Sequence, residues 1–291
     1  MKIILSPAKT MTQEKNSFSC ISIPVFLENS KTILSVLREK NLSELKEIWK
    51  CNDKIAEENF ERIKNMDLNK NLTSAVLTYD GIVFKHIAPA LSENKNAEYL
   101  QKNLRILSGL YGVLKPFDRI TPYRLEMQSK IKIKDFKNLY DFWGDKLYNE
   151  VKDESSVIIN LASKEYSKCI EKYLQKDDIF ITCSFVEKSN RKLVVKGTYS
   201  KTARGEMVRF MAENNIQNYE DLKKFNYSGY VFRDELSSEK EYVFERTENL
   251  WYNYLRNKDE YKSLTDKKDT GSLQIKPVSF LFFADLKNIE K

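Results

Sequence analysis

Hydrophobic positions follow two rhythms along the chain, short unbroken apolar runs and stripes spaced by three or four residues. The run Lys2–Leu5 predicts a strand that leads directly into the polar loop Ser6-Pro7-Ala8-Lys9-Thr10, and α/β proteins place ligands where strands end in such loops. Phe26, Ile33, Leu34 and Leu37 form a helical stripe, continued by Leu45, Ile48 and Trp49, with a helix start read at Ser43. Tyr79-Asp80-Gly81 marks a turn before Ile82-Val83-Phe84, and residues 92–103 suit a helix. Leu104–Leu107 reads as a buried strand or helix end, closed by Ser108-Gly109-Leu110-Tyr111-Gly112. The Lys/Ile alternation of Lys130–Lys134 predicts a half-buried strand with its lysines facing water.

Farther along, residues 138–151 suit a helix interrupted at Gly144, and Val157-Ile158-Ile159 is a β run followed by a helix over Lys164–Tyr173. Ile179–Val186 and Lys192–Tyr199 read as two strands of a hairpin, followed by a helix over Lys201–Asn214. Short strands near 229–232 and 241–245 end the regular portion, and no internal repeat is apparent. This pattern predicts one domain over residues 1–248. Residues 249–291, polar between 256 and 272, are expected to be a C-terminal extension docked on it.

Composition narrows the class. Of 291 residues, 41% are hydrophobic and 12% aromatic, too much for a chain that stays disordered. No stretch near twenty residues lacks charge, which excludes membrane-spanning helices. Four dispersed cysteines (Cys20, Cys51, Cys169 and Cys183), with no CxxC pair or leading signal segment, point to a reduced cytosolic protein. The single histidine, His86, excludes a zinc site built on several imidazoles and the usual hydrolytic triads unless His86 itself serves. The formal charge of +7 is modest. It is concentrated in residues 102–152, with 11 basic and 6 acidic side chains, and in residues 188–209, with 7 and 1.

Five constellations carry candidate chemistry. Lys9, in its loop with Ser6, is a point charge suited to phosphate or carboxylate, although the loop is not a Walker motif. In Tyr123-Arg124-Leu125-Glu126-Met127, Arg124 can clamp an oxyanion, and Glu126, two residues on, points the same way and can pair with it. Phe142-Trp143-Gly144-Asp145 sets an aromatic face beside a carboxylate, so Trp143 offers stacking and Asp145 a general base. Lys201-Thr202-Ala203-Arg204-Gly205 is read at a strand-to-helix junction, where Lys201, Arg204 and first-turn N–H groups would form an anion site that Arg209 extends. Asn160, Ser163 and Tyr166 follow the Val157–Ile159 strand and suit ligand orientation, with Ser163 alternatively a helix cap. The acids Asp80, Asp118, Asp145 and Glu126 show no metal-ligand spacing, so no metal and no cofactor are expected.

Taken together, Ile4–Thr10, Leu107–Leu114, Pro122–Met127, Phe142–Asp145, Ile159–Ser163, Lys201–Gly205 and Phe225–Tyr230 resemble the YaaA peroxide-stress family in order and spacing across about residues 1–248. The resemblance implies a cytosolic bacterial protein that protects against hydrogen peroxide by limiting free iron and oxidative DNA damage. It also implies a mixed α+β fold, compact and single-domain, with a mixed sheet, surrounding helices and a positively charged cleft. DNA binding through a helix-hairpin-helix-like element comes with it; here that element maps to Ser108–Leu114, with Gly109, Tyr111 and Gly112 at the bend. This chain departs from the usual Gly-hydrophobic-Gly turn, and no reaction comes with the family.

Two functional readings follow. In the first, a monomer binds DNA in a sequence-tolerant way, with Lys115, Arg119, Arg124, Lys201, Arg204 and Arg209 on phosphates and Tyr111 or Trp143 on bases. In the second, an enzyme acts on a small anionic, nucleotide-like molecule held by Lys9, Arg124, Asn160, Lys201 and Arg204. Asp145 is then the acid or base, and Tyr123 or Tyr166 the proton donor. Direct iron binding is poorly served by so dispersed a set of donors.

Overall fold

The computed structural model describes residues 1–12, 22–70, 72–152, 156–190 and 192–247. Residues 1–247 form one compact unit; the expected extension at 249–291 lies outside the described residues, as does Cys20. The main sheet has eight strands: β1 (Lys2–Leu5), β2 (Leu104–Ser108), β3 (Gly112–Leu114), β4 (Val157–Asn160), β5 (Ile179–Ser189), β6 (Lys192–Val194), β7 (Tyr230–Phe232) and β8 (Glu241–Arg246). Their order is β7-β8-β5-β4-β1-β2-β3, with β6 paired to β5. Pairing is parallel from β8 through β5, β4 and β1 to β2, and antiparallel at β2–β3, β7–β8 and β5–β6. The fold is therefore the expected mixed α+β domain, a mixed sheet with helices around it.

Burial explains the central strands. Ile3, Ile4 and Leu5 of β1 are sealed from solvent, as are Leu104, Ile106 and Leu107 of β2 and Ile159 of β4. Parallel strands covered on both faces read as continuous apolar runs rather than alternating ones. From β1 the chain next enters the sheet at β2, on one side; later it returns to β1's other side at β4 and moves outward to β5. The direction of winding thus reverses between β1 and β4, which opens a crevice at their carboxyl ends.

Three sequence expectations are corrected and one unassigned segment is filled in. The helix Leu42–Trp49 is capped by Asn41, not Ser43: Glu44 N donates to Asn41 Oδ1 at 3.0 Å, and Asn41 N donates to Glu44 Oε2 at 2.8 Å. The residues after the expected turn at Tyr79-Asp80-Gly81, left unassigned by the sequence, form a helix, Ile82–Ile87, with Gly81 at its N-cap. Lys130–Lys134 keeps its alternation, with Ile131 and Ile133 buried and the lysines exposed. Among the described residues it has no partner strand, however; its pairing there is one bridge, Ile133 to Phe136. The expected antiparallel pair exists, but the first strand runs on through Glu187 to Ser189, the second ends at Val194, and the helix Gly197–Glu213 begins before Lys201; Arg191 lies outside the described residues.

Gly144, at φ 54°, separates the helices Leu139–Trp143 and Lys146–Val151, as the sequence suggested. Among the described residues, no helix is long and apolar enough to cross a membrane.

Candidate functional site

A cavity of about 430 Å³ opens at the carboxyl ends of β1 and β4, where the winding reverses. The loop after β1 supplies Ser6 and Lys9, and the segment after β4 supplies Leu161, Ser163, Glu165 and Tyr166. The two loops are laced together: Leu161 N donates to Ile4 O at 3.0 Å, and Ser163 N to Ser6 Oγ at 2.8 Å. Ser6 Oγ also donates to Ser163 Oγ at 3.1 Å. Ser163 and Ser6 thus shape the crevice, and Ser163 starts the helix Lys164–Glu171 without a side-chain cap bond. Asn160, at the end of β4, is buried behind the wall; its Oδ1 accepts from Ala162 N at 2.9 Å and its Nδ2 donates to Thr182 Oγ1 at 3.1 Å.

Tyr123, Arg124 and Glu126 enter from a second direction. Their strand-like segment runs against Gly109, where a Cβ would lie 2.5 Å from Leu125 O; only glycine admits so close a backbone. Trp143 Nε1 donates to Gly109 O at 3.1 Å and fixes the other side of that contact. A two-residue bridge, Thr10–Met11 with Tyr79–Asp80, pins the end of the Lys9 loop and brings Asp80 and Gly81 to the rim.

The third wall is the helix Gly197–Glu213, which contributes Lys201 and Arg204. At Gly205 a Cβ would meet Val83 O at 2.3 Å and His86 Cβ at 2.8 Å. The glycine lets this helix press against Ile82–Ile87, and that approach places Arg204 at the cavity. The expected anion site at first-turn N–H groups is not what forms, because Lys201 and Arg204 lie beyond the first turn. Their side chains, not the helix terminus, face the cavity.

The charges in the cavity are unevenly paired. Glu126 Oε1 lies 2.9 Å from Lys9 Nζ and 3.7 Å from Arg124 Nη2, which bears out the pairing read from the spacing of Arg124 and Glu126. Arg204 lacks such an ion pair: among the described residues no carboxylate pairs with Arg204 or Lys201, while the Nε atoms of Arg124 and Arg204 are both buried without a hydrogen-bond partner. Burial lowers the Arg204 guanidinium's pKa, yet arginine stays charged at any physiological pH. An unpaired, desolvated cation is costly and favours an anion beside it. With Lys9, Arg124, Lys201 and Arg204 set against Asp80, Glu126 and Glu165, the lining is of mixed sign rather than uniformly positive.

Glu165 escaped the sequence reading. Burial raises its carboxyl pKa, Gln128 N donates to its Oε1 at 3.2 Å and lowers it, and the neighbouring Glu126 raises it again. Its sequence signal was slight: an acid in the first turn after Ser163 reads as a helix-dipole partner. Asp80 was noted only as a dispersed acid; at the rim it pairs with Lys85 Nζ at 3.2 Å. Tyr123 and Tyr166 both reach the cavity. The Tyr123 hydroxyl is linked to Tyr79 OH at 2.9 Å and Ser108 Oγ at 2.6 Å, with burial pushing its pKa up to about 12. Burial also holds Tyr166 well above the usual phenol value.

Several candidates lie elsewhere. Asp145 is exposed just ahead of the helix Lys146–Val151 and does not line the cavity. Lys115, Arg119 and Arg209 are also absent from its walls, and Arg209 Nε is held by Glu213 Oε1 at 2.7 Å. Trp143 and Tyr111 are 0% exposed, so neither presents a ring to a base. Trp143 packs on Phe142 and Phe26, and the Tyr111 hydroxyl accepts from Thr121 N at 3.2 Å. Ser108–Leu114 is not a helical hairpin: it is the buried antiparallel turn between β2 and β3, with Ser108 paired to Gly112. Among the described residues, no group of three or more His, Cys, Asp or Glu is placed to hold a metal ion.

Comparison with known proteins gives a consistent family signal. A family model described as peroxide stress protein YaaA matches residues 1–236. The chain is 59% identical over 246 residues to a UPF0246 protein of Agathobacter rectalis, an alignment covering 84% of this chain and 99% of that protein. It is 47% identical over 249 residues to a UPF0246 protein of Lachnoclostridium phytofermentans, covering 86% and 98%. A UPF0246 protein of Ligilactobacillus salivarius is 46% identical over 244 residues, covering 84% and 99%.

Proposed function

The chain belongs to the YaaA peroxide-stress family, and from that premise we propose that it serves the peroxide response by binding a small anionic molecule in the cavity between β1 and β4. The observation that carries this reading is Arg204, a half-buried side chain lining the cavity, its Nε sealed from solvent, with no carboxylate partner among the described residues. Lys201 stands beside it on the same helix, three residues away, so the two cations share a face. Glu126, Glu165 and Tyr166 supply groups that can exchange protons with whatever is bound, which makes turnover as well as binding chemically accessible. Less free iron and less oxidative DNA damage would be the downstream result of that event.

The DNA-binding reading has weaker support. A cavity of about 430 Å³ suits a ligand the size of a nucleotide, not a duplex. Arg124 and Arg204 point into it, whereas Arg209 is occupied by Glu213 and the two aromatic candidates are in the core.

The test is genetic. Cells lacking the protein and supplied with an Arg204→Met variant should be as sensitive to hydrogen peroxide as cells with none, while the variant accumulates at the wild-type level. Full protection by that variant would overturn the cavity reading.

A further inference from the structure

Charge and size inside the cavity say more about its occupant than that it is anionic. Lys9 and Arg124 share the single carboxylate of Glu126, at 2.9 and 3.7 Å. Glu165 adds a second carboxyl there, near enough for Glu126 to raise its pKa. Lys201 and Arg204 line the same cavity, with no carboxylate paired to either among the described residues. The lining also includes the apolar residues Val83, Phe84, Leu125 and Leu161.

We infer that the cavity takes a nucleoside monophosphate, its phosphate against Arg204 and Lys201 and the amino-bearing edge of its base against Glu126 and Glu165. This rests on the small-anion reading above and narrows it to a chemical class. Two unpaired cations match the charge of a phosphate monoester, between −1.5 and −2 near neutral pH, better than the single charge of a carboxylate. A carboxylate accepts from an amino N–H of a base edge. The two carboxylates therefore suit a base edge that carries an amino group, as those of adenine and cytosine do. The apolar lining residues suit a base ring. A bare phosphate would leave most of the volume, about 430 Å³, unfilled.

Isothermal titration of the full chain with adenosine 5′-monophosphate, adenosine, ribose 5-phosphate and inorganic phosphate, at one ionic strength, tests the assignment. The monophosphate should bind at least about tenfold tighter than each of the other three, since each half adds a charge-assisted or apolar contact. Arg204→Met should reduce that affinity about tenfold or more, and Glu165→Gln should weaken the nucleotide several-fold while leaving ribose 5-phosphate unchanged. Lys201→Ala, at an exposed position, repeats the phosphate-end test should Arg204→Met fail to fold.

Equal affinity for the nucleotide and ribose 5-phosphate would overturn the base subsite. Absence of nucleotide binding would overturn the class; if Arg204→Met cells had nonetheless lost peroxide protection, the small-anion reading would stand. Nucleotide binding unchanged by Arg204→Met and Lys201→Ala would overturn the phosphate assignment.

Discussion

Ser163 N donates to Ser6 Oγ at 2.8 Å, joining two loops that lie 157 residues apart in the chain. The bond closes the floor of the crevice where the sheet reverses its winding. It holds the Lys9 loop beside the segment that carries Glu165 and Tyr166.

Ser6→Ala should therefore weaken both fold and site. It removes the acceptor of Ser163 N and the donor to Ser163 Oγ, and leaving a partly buried N–H unpaired costs about 1–3 kcal/mol. Urea unfolding should show that loss, and oxyanion affinity should fall with it. A variant as stable as wild type would show that water or another group replaces the hydroxyl.

Gly205 and Gly197 lie on the same helix and should respond oppositely to alanine. At Gly205 the new methyl would meet Val83 O at 2.3 Å, whereas at Gly197 nothing lies within 4 Å. Gly205→Ala should destabilise by about 1–3 kcal/mol through overpacking and displace Arg204. Gly197→Ala should be neutral or stabilise by up to about 1 kcal/mol, by restricting the unfolded chain. Paired denaturation curves of the two variants settle it.

Glu165 gives a pH signature. Its folded-state pKa is raised, chiefly by burial, above the ordinary value of 4.5. Between those two values the folded state binds more protons than the unfolded state, so the group's contribution is complete below about pH 4.5 and is lost as pH rises through the folded pKa. Glu165→Gln removes that dependence. Relative to wild type, the variant should gain stability as pH rises above 4.5, read as the difference between two melting-temperature profiles. Parallel profiles would show that Glu165 titrates normally.

Arg209 should prove separable from the cavity. Its ion pair with Glu213 lies outside the lining residues, and such partly exposed pairs contribute little. Arg209→Ala should change stability by no more than about 1 kcal/mol and leave phosphate and nucleotide affinity unaltered. A large loss of affinity would extend the site along that helix face.

Most of what the sequence determined was local. The apolar runs of β1, β2 and β4, the helix break at Gly144 and the hairpin after β5 were legible because burial and backbone preference act on neighbouring residues. The pairing of Arg124 with Glu126 was legible for the same reason, since two positions on an extended segment face one way. The cap at Asn41 and the early start of the helix at Gly197 were missed because several polar or glycine positions compete within one turn.

Tertiary structure decided which motifs share a site. Loops after β1 and β4 converge because the sheet reverses direction between them, and Arg204 enters because Gly205 lets two helices touch. Asp145, Lys115, Arg119 and Arg209 carry chemistry as suggestive as that of Lys9, yet fall elsewhere. Glu165 looked like an ordinary helix-start acid until burial and Glu126 changed its environment. Residue type sets what a side chain can do; strand order and close packing, which depend on contacts a hundred or more residues apart, set what it faces.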